Sequence, residues 1–84
     1  GLRKRGDAVS QAEAILTGLG GPKNVQDIQP CITRLRVDVL DQNLVNEVAL
    51  AEAGALGVVQ VGTTVQVVVG PVADSLAESI NQIL

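Results

Sequence analysis

Residues Thr33–Leu40 alternate without interruption. Thr33, Leu35, Val37 and Val39 point one way, and Arg34, Arg36 and Asp38 point the other. Successive side chains of a strand face opposite sides of a sheet. The segment is therefore a strand with one apolar face and one charged face. Such a strand does not suit a parallel sheet covered on both sides. It suits an antiparallel sheet with one face on the core and the other open to solvent or a partner.

The rest of the chain supplies the layer that covers the apolar face. Ala8, Ala12, Ile15, Leu16 and Leu19 recur at helical spacing behind Asp7 or Ser10 as a cap, and Gly18, Gly20, Gly21 and Pro22 stop that helix. Gly18–Gly21 has the G-x-x-G spacing of a nucleic-acid-binding loop, but a helix end followed by a turn is the reading its surroundings favour. Asn24–Gln29 reads as a short strand, with Pro30 and Cys31 in the turn before the alternating strand. Asn46 is placed to cap a short helix reaching about Ala53. Val58–Val61 and Val65–Val69 flank Gly62-Thr63-Thr64, a hairpin signal, with Gln66 interrupting the second run at period two. Ala73, Leu76, Ala77, Ile80, Ile83 and Leu84 form one face of a last helix. The predicted order is αββαββα: an α+β domain with a four-stranded, mostly antiparallel sheet and its helices on one face. Residues 7–84 read as one domain, and residues 1–6, with Arg3, Lys4 and Arg5, as a tail or linker.

Missing residue types exclude much chemistry. The 84 residues include no His, Trp, Tyr, Phe or Met and one Cys, against 29 Val, Leu and Ile and 9 Ala. Without His there is no Ser-His-Asp triad or Cys-His dyad, and neither His nor a second Cys is there to build a zinc site, so no metal or cofactor is expected. A disulfide within the chain is likewise excluded. Aromatic platforms for single-stranded nucleic acid are absent. The longest apolar-plus-Gly run, Ala53–Val59, is far shorter than a membrane span. The net charge of −3 conceals an asymmetry: from Asp7 onward nine acids face three bases, a body of −6. That body is a poor partner for nucleic acid, and the expected setting is cytoplasmic.

Two of those three bases, Arg34 and Arg36, lie within five residues of the only thiol, Cys31. Guanidinium groups two residues apart on one strand face are roughly 7 Å apart along the chain. Their fixed forks of donors suit phosphate oxygens, and nearby positive charge favours the thiolate. Thr33 and the amides of the turn add donors. Together these groups form a nucleophile with an anion clamp. The alternative is a non-enzymatic regulatory or anion-binding module, with Cys31 as a small structural hydrophobe and the arginines as a solvated face. A tyrosine-phosphatase loop needs Cys-x5-Arg, whereas Arg36 gives Cys-x4-Arg and position 37 is Val. No Walker loop or kinase signature is present. What remains is a thiol that receives a phosphoryl group and passes it on.

The segment Asn24-Val-Gln-Asp-Ile-Gln-Pro-Cys31-Ile-Thr-Arg34-Leu-Arg36-Val-Asp-Val-Leu-Asp41 resembles the phosphorylation site of IIB domains of the sugar phosphotransferase system, in their glucose/N-acetylglucosamine family. The likeness continues through Leu50–Val59 and Val65–Gly70 and takes in essentially residues 7–84. It implies the same αββαββα order and the following relay. A histidine-phosphorylated IIA domain donates its phosphoryl group to Cys31, the covalent carrier. The phosphocysteine then gives it to a sugar held by the membrane domain IIC, glucose or, as the closer fit, N-acetylglucosamine. Arg34 and Arg36 would steady the phosphoryl group and help deliver it, with Thr33 contributing hydrogen bonds. Ile32, with the parity of the arginines, is either a partner contact or buried at the strand start. Such a domain lies in the cytoplasm without entering the membrane, held there through IIC. One departure stands out: Gln29-Pro30 precedes the cysteine where the family commonly has Asp-Ala or Glu-Gly. Loss of an N–H from the turn and of a carboxylate is expected to alter donor recognition or rate.

Overall fold

Each α-ββ half of the chain builds a hairpin, and the two hairpins join in one sheet. The computed structural model describes residues 2–84, with side chains described from Ser10 onward. A helix α1 (Leu2–Gly18) leads through a 3-10 turn (Pro22–Asn24) into β1 (Val25–Cys31) and β2 (Arg34–Val39). A second 3-10 turn (Gln42–Leu44) and the short helix α2 (Glu47–Glu52) lead to β3 (Gly57–Val61) and β4 (Thr64–Val68), and α3 (Ala73–Ile83) ends the chain. The sheet order is β1-β2-β4-β3, and every pairing is antiparallel. The fold is therefore the expected α+β arrangement, with β2 and β4 central and β1 and β3 at the edges.

The alternation of β2 sets the two faces of the sheet. Leu35, Val37 and Val39 are buried together with Ile28, Val65 and Val67 from the neighbouring strands. Ala12, Ile15, Leu16 and Leu19 from α1 and its end, Leu50 from α2, and Ala73, Leu76, Ala77 and Ile80 from α3 complete the same core. Burying one such Leu, Ile or Val contributes about 1.5–3 kcal/mol. The opposite face carries Cys31, Arg34, Arg36, Asp38 and Gln66 and is not part of this core.

Helix ends follow their local chemistry. Gly20 and Gly21 both take positive φ, 103° and 95°. The amide of Gly21 donates to the Leu16 carbonyl and that of Gly20 to the Thr17 carbonyl, the paired bonds of a Schellman end. A β-carbon at Gly20 would stand 2.6 Å from Asn24 Nδ2, and one at Gly18 would stand 2.8 Å from the Leu50 side chain. Asn46 caps α2 as expected, its Oδ1 accepting from the Ala49 amide at 3.1 Å.

Several boundaries differ from those predicted. Helix α1 is already under way at Leu2, so helical backbone occupies the stretch expected as a linker, and neither Asp7 nor Ser10 caps it. Gly1 and the side chains of residues 2–9, including the basic trio and Ala8, lie outside the described residues. At the other end, Ile83 and Leu84 are 39% and 50% exposed and stand outside the core, at the last turn of α3 and the residue after it. Strand β1 reaches Cys31 rather than stopping at Gln29. Pro30 fits it because β1 is an edge strand: Cys31 and Arg34 close a two-residue hairpin. The next pair, Pro30 and Leu35, is then a non-hydrogen-bonded one, so the missing N–H faces the open edge.

Candidate functional site

Two hairpins with equal loop lengths turn in the same way and differ in one residue. The β3–β4 loop, Gly62-Thr63, has φ 61° at Gly62. The β1–β2 loop, Ile32-Thr33, has φ 58° at Ile32, the one positive-φ residue other than glycine among the described residues. A positive φ at the first loop position matches the right-handed twist of the flanking strands and ordinarily calls for Gly. For a β-branched side chain it is a strained conformation. Here the strain sits next to the only thiol.

The loop is held from behind. The Thr33 carbonyl accepts from the amides of Val69 (2.9 Å) and Gly70 (3.0 Å), tying the turn to the exit of β4. Gly70 takes φ 83° at that point. Thr33 therefore belongs to the turn and is exposed, not on the apolar face of the strand. Its backbone anchors the loop, and its side chain is open to solvent. Ile32 is 87% exposed, which settles its placement in favour of an outward side chain over a buried one.

Cys31 ends β1 as an exposed free cysteine, directly across from Arg34. A structural cysteine would be expected in the core, as a small hydrophobe. Arg34 Nη1 donates to Gln66 Oε1 at 2.8 Å. Arg36, one step further along the same face, pairs in register with Gln29 on one side and Gln66 on the other. It also lines a polar depression with Asp27, Gln29 and Asp38. Asp38 accepts from Thr64 Oγ1 at 3.1 Å. The sheet thus brings together Cys31, Ile32, Thr33, Arg34 and Arg36, all five residues singled out in the sequence. The thiol and the two guanidinium groups share one exposed face at the end of a hairpin. Among the described residues, no group of three His, Cys, Asp or Glu side chains is placed to hold a metal ion.

Other residues at this end escaped the sequence reading. Gln66 comes from β4, and its only signal was the break in a run of valines. Leu56, 77% exposed, precedes Gly57, which shares a row of the sheet with Val68, Arg34 and Cys31. Val72, 43% exposed, follows the loop at Gly70. With Ile32 they place apolar surface at the same end of the sheet as the thiol. Nothing in the periodicity of the sequence marks Leu56 or Val72 as outward-facing.

Three comparisons bear on this arrangement. The phosphotransferase system EIIB family matches residues 13–46, which contain Cys31 and both arginines. The N-acetylglucosamine-specific EIIB component of the phosphotransferase system from Streptomyces coelicolor is 53% identical over 75 residues, 89% of this chain and 97% of that protein. The crystal structure of one domain of a phosphotransferase-system IIabc component from Clostridium difficile superposes with a TM-score of 0.73, covering 93% of this chain and 83% of that one. At 22% identity it speaks for the fold. With the order of its elements, its exposed thiol and that close relative, the chain belongs to the EIIB family of the sugar phosphotransferase system.

Proposed function

We propose that this domain, residues 7–84 with 1–6 as a tail or linker whose backbone from Leu2 continues α1, is a phosphoryl carrier working between a histidine-phosphorylated IIA donor and a sugar held by a membrane IIC partner. The observation that carries the proposal is the exposed Cys31 Sγ at the hairpin end, with Arg34 directly across and Arg36 on the same face. In the first half-reaction the thiolate attacks phosphorus. An S–P bond forms, the P–N bond of phosphohistidine breaks, and the donor imidazole leaves to be protonated by solvent. In the second, a sugar hydroxyl attacks phosphorus, the S–P bond breaks, and the thiolate is restored as the hydroxyl loses its proton. Phosphoryl transfer of this kind asks for positioning and charge stabilisation more than for acid–base groups.

The arginines supply that charge. Their guanidinium groups balance the phosphoryl oxygens on Cys31 and hold the group toward the sugar. Thr33 and the amides of its turn add hydrogen bonds, and Ile32 meets the partners. N-acetylglucosamine is the proposed sugar, on the strength of the name and 53% identity of the Streptomyces coelicolor relative. Sugar selection itself belongs to IIC. No helix among the described residues is long and apolar enough to cross a membrane, and the domain is proposed to work at the cytoplasmic side through IIC.

The test separates the two half-reactions. Incubation with a histidine-phosphorylated IIA protein is expected to add one phosphoryl group to wild type and none to Cys31→Ser, read by intact mass and phosphorus NMR. Arg34→Gln and Arg36→Gln are expected to accept the group but to lose about a hundredfold in transfer to sugar, the scale of removing one charge-stabilising contact. Wild-type sugar phosphorylation by both arginine variants would contradict the role given to them.

A further inference from the structure

The amide that holds Arg34 is neutral, and its position is informative. Gln66 lies on β4 directly opposite Arg36 and diagonal to Arg34, two rows of the sheet beyond the row that Arg34 shares with Cys31. Directly opposed residues on a sheet face have their β-carbons about 5 Å apart, and diagonal neighbours are within reach of long side chains. One glutamine therefore serves the rows of both arginines. Its Oε1 takes a single Nη1 proton of Arg34 at 2.8 Å, which among the described residues leaves the other donors of that guanidinium free. A carboxylate at this position would make a stronger, charge-assisted bond. It would also cancel the positive charge and repel a phosphoryl dianion.

We infer that Gln66 is a positioning residue for the phosphoryl step, orienting Arg34 on the open face while leaving its full charge for the group on Cys31. The inference rests on the carrier function proposed above. It assigns a task to a side chain of β4 that lies outside the Cys-Ile-Thr-Arg-Leu-Arg segment. Holding and neutralising are separable here. Glutamine holds without neutralising, glutamate does both, and leucine does neither.

Three forms of the domain decide it: wild type, Gln66→Glu and Gln66→Leu. Gln66 is half-exposed, so both variants are expected to keep the fold, checked by the amide NMR fingerprint. Each is phosphorylated by histidine-phosphorylated IIA of the N-acetylglucosamine system and then mixed with N-acetylglucosamine and membranes carrying the matching IIC. Gln66→Leu is expected to slow transfer to sugar by about threefold, the worth of one ordinary hydrogen bond. Gln66→Glu is expected to slow it by about tenfold or more, because the guanidinium charge is taken up. The phosphocysteine of Gln66→Glu is also expected to take up its second proton at higher pH than wild type, followed by phosphorus NMR. A merely structural glutamine would give the opposite order, since glutamate keeps the acceptor and leucine loses it. Equal rates, or glutamate closer to wild type than leucine, would overturn the inference. Failure of the wild-type domain to take up any phosphoryl group would instead overturn the carrier function.

Discussion

Ile32 carries a cost that its counterpart Gly62 does not. Both occupy the first position of a two-residue hairpin loop at φ near 60°, a conformation that disfavours a residue with a β-carbon by about 1–2 kcal/mol. Its side chain recovers little of this through burial, being 87% exposed. Ile32→Gly is therefore expected to raise the unfolding free energy by about 1 kcal/mol in urea denaturation, while raising the KM for the IIA donor as the outward apolar contact is lost. Unchanged donor KM would remove Ile32 from the docking surface. At this scale the sequence was most readable where the chemistry is contiguous: Cys31, Arg34 and Arg36 fall within six residues and one face. The bond from Arg34 to Gln66 was not legible, because it joins residues 32 positions apart and depends on β4 lying beside β2.

The elements are pinned by one buried side chain. Asn24, 4% exposed, donates to the carbonyls of Leu19 (2.7 Å) and Asp41 (3.0 Å) and accepts from the Asp41 amide (2.9 Å). It thereby joins the end of α1, the start of β1 and the exit of β2. Replacing it strands the buried Leu19 carbonyl and removes two part-buried bonds to the Asp41 backbone, so Asn24→Leu is expected to cost about 2–3 kcal/mol in chemical denaturation. A loss under about 1 kcal/mol would show that water substitutes freely. Pro30→Ala, in contrast, is expected to change stability by less than about 1 kcal/mol, since no ladder bond depends on that N–H. The order of elements followed from periodicity and glycine stops alone. The end of β1 did not, because a proline reads locally as a turn. Only the pairing of β1 at the sheet edge shows where its missing N–H would have pointed. The start of α1 was missed for a related reason: Leu2–Gly6 has no apolar stripe, yet its backbone continues the helix.

On the scale of the whole molecule, two cations stand out against an acidic background, with Asp38 beside them on the same face. The body from Asp7 onward carries −6, and the alternation of β2 sets Arg34 and Arg36 on the open side of the sheet, beside the thiol. This suits brief encounters with a partner whose rim is acidic, where complementary fields raise the rate of productive collision. Phosphoryl uptake from IIA at limiting concentrations is therefore expected to slow as salt rises from about 0.05 to 0.5 M, a range over which screening shortens severalfold in reach. A flat salt profile would mean that docking is led by the apolar side chains of Ile32, Leu56 and Val72. In the proposed relay the phosphoryl group comes from one partner and its acceptor from another. Everything in that account depends on Cys31 being a carrier. Intact-mass analysis of the domain after exposure to histidine-phosphorylated IIA is the direct measurement. The account predicts the gain of a single phosphoryl group, located at Cys31 and lost on adding sugar with IIC membranes. An unmodified thiol in the presence of a competent donor would contradict it.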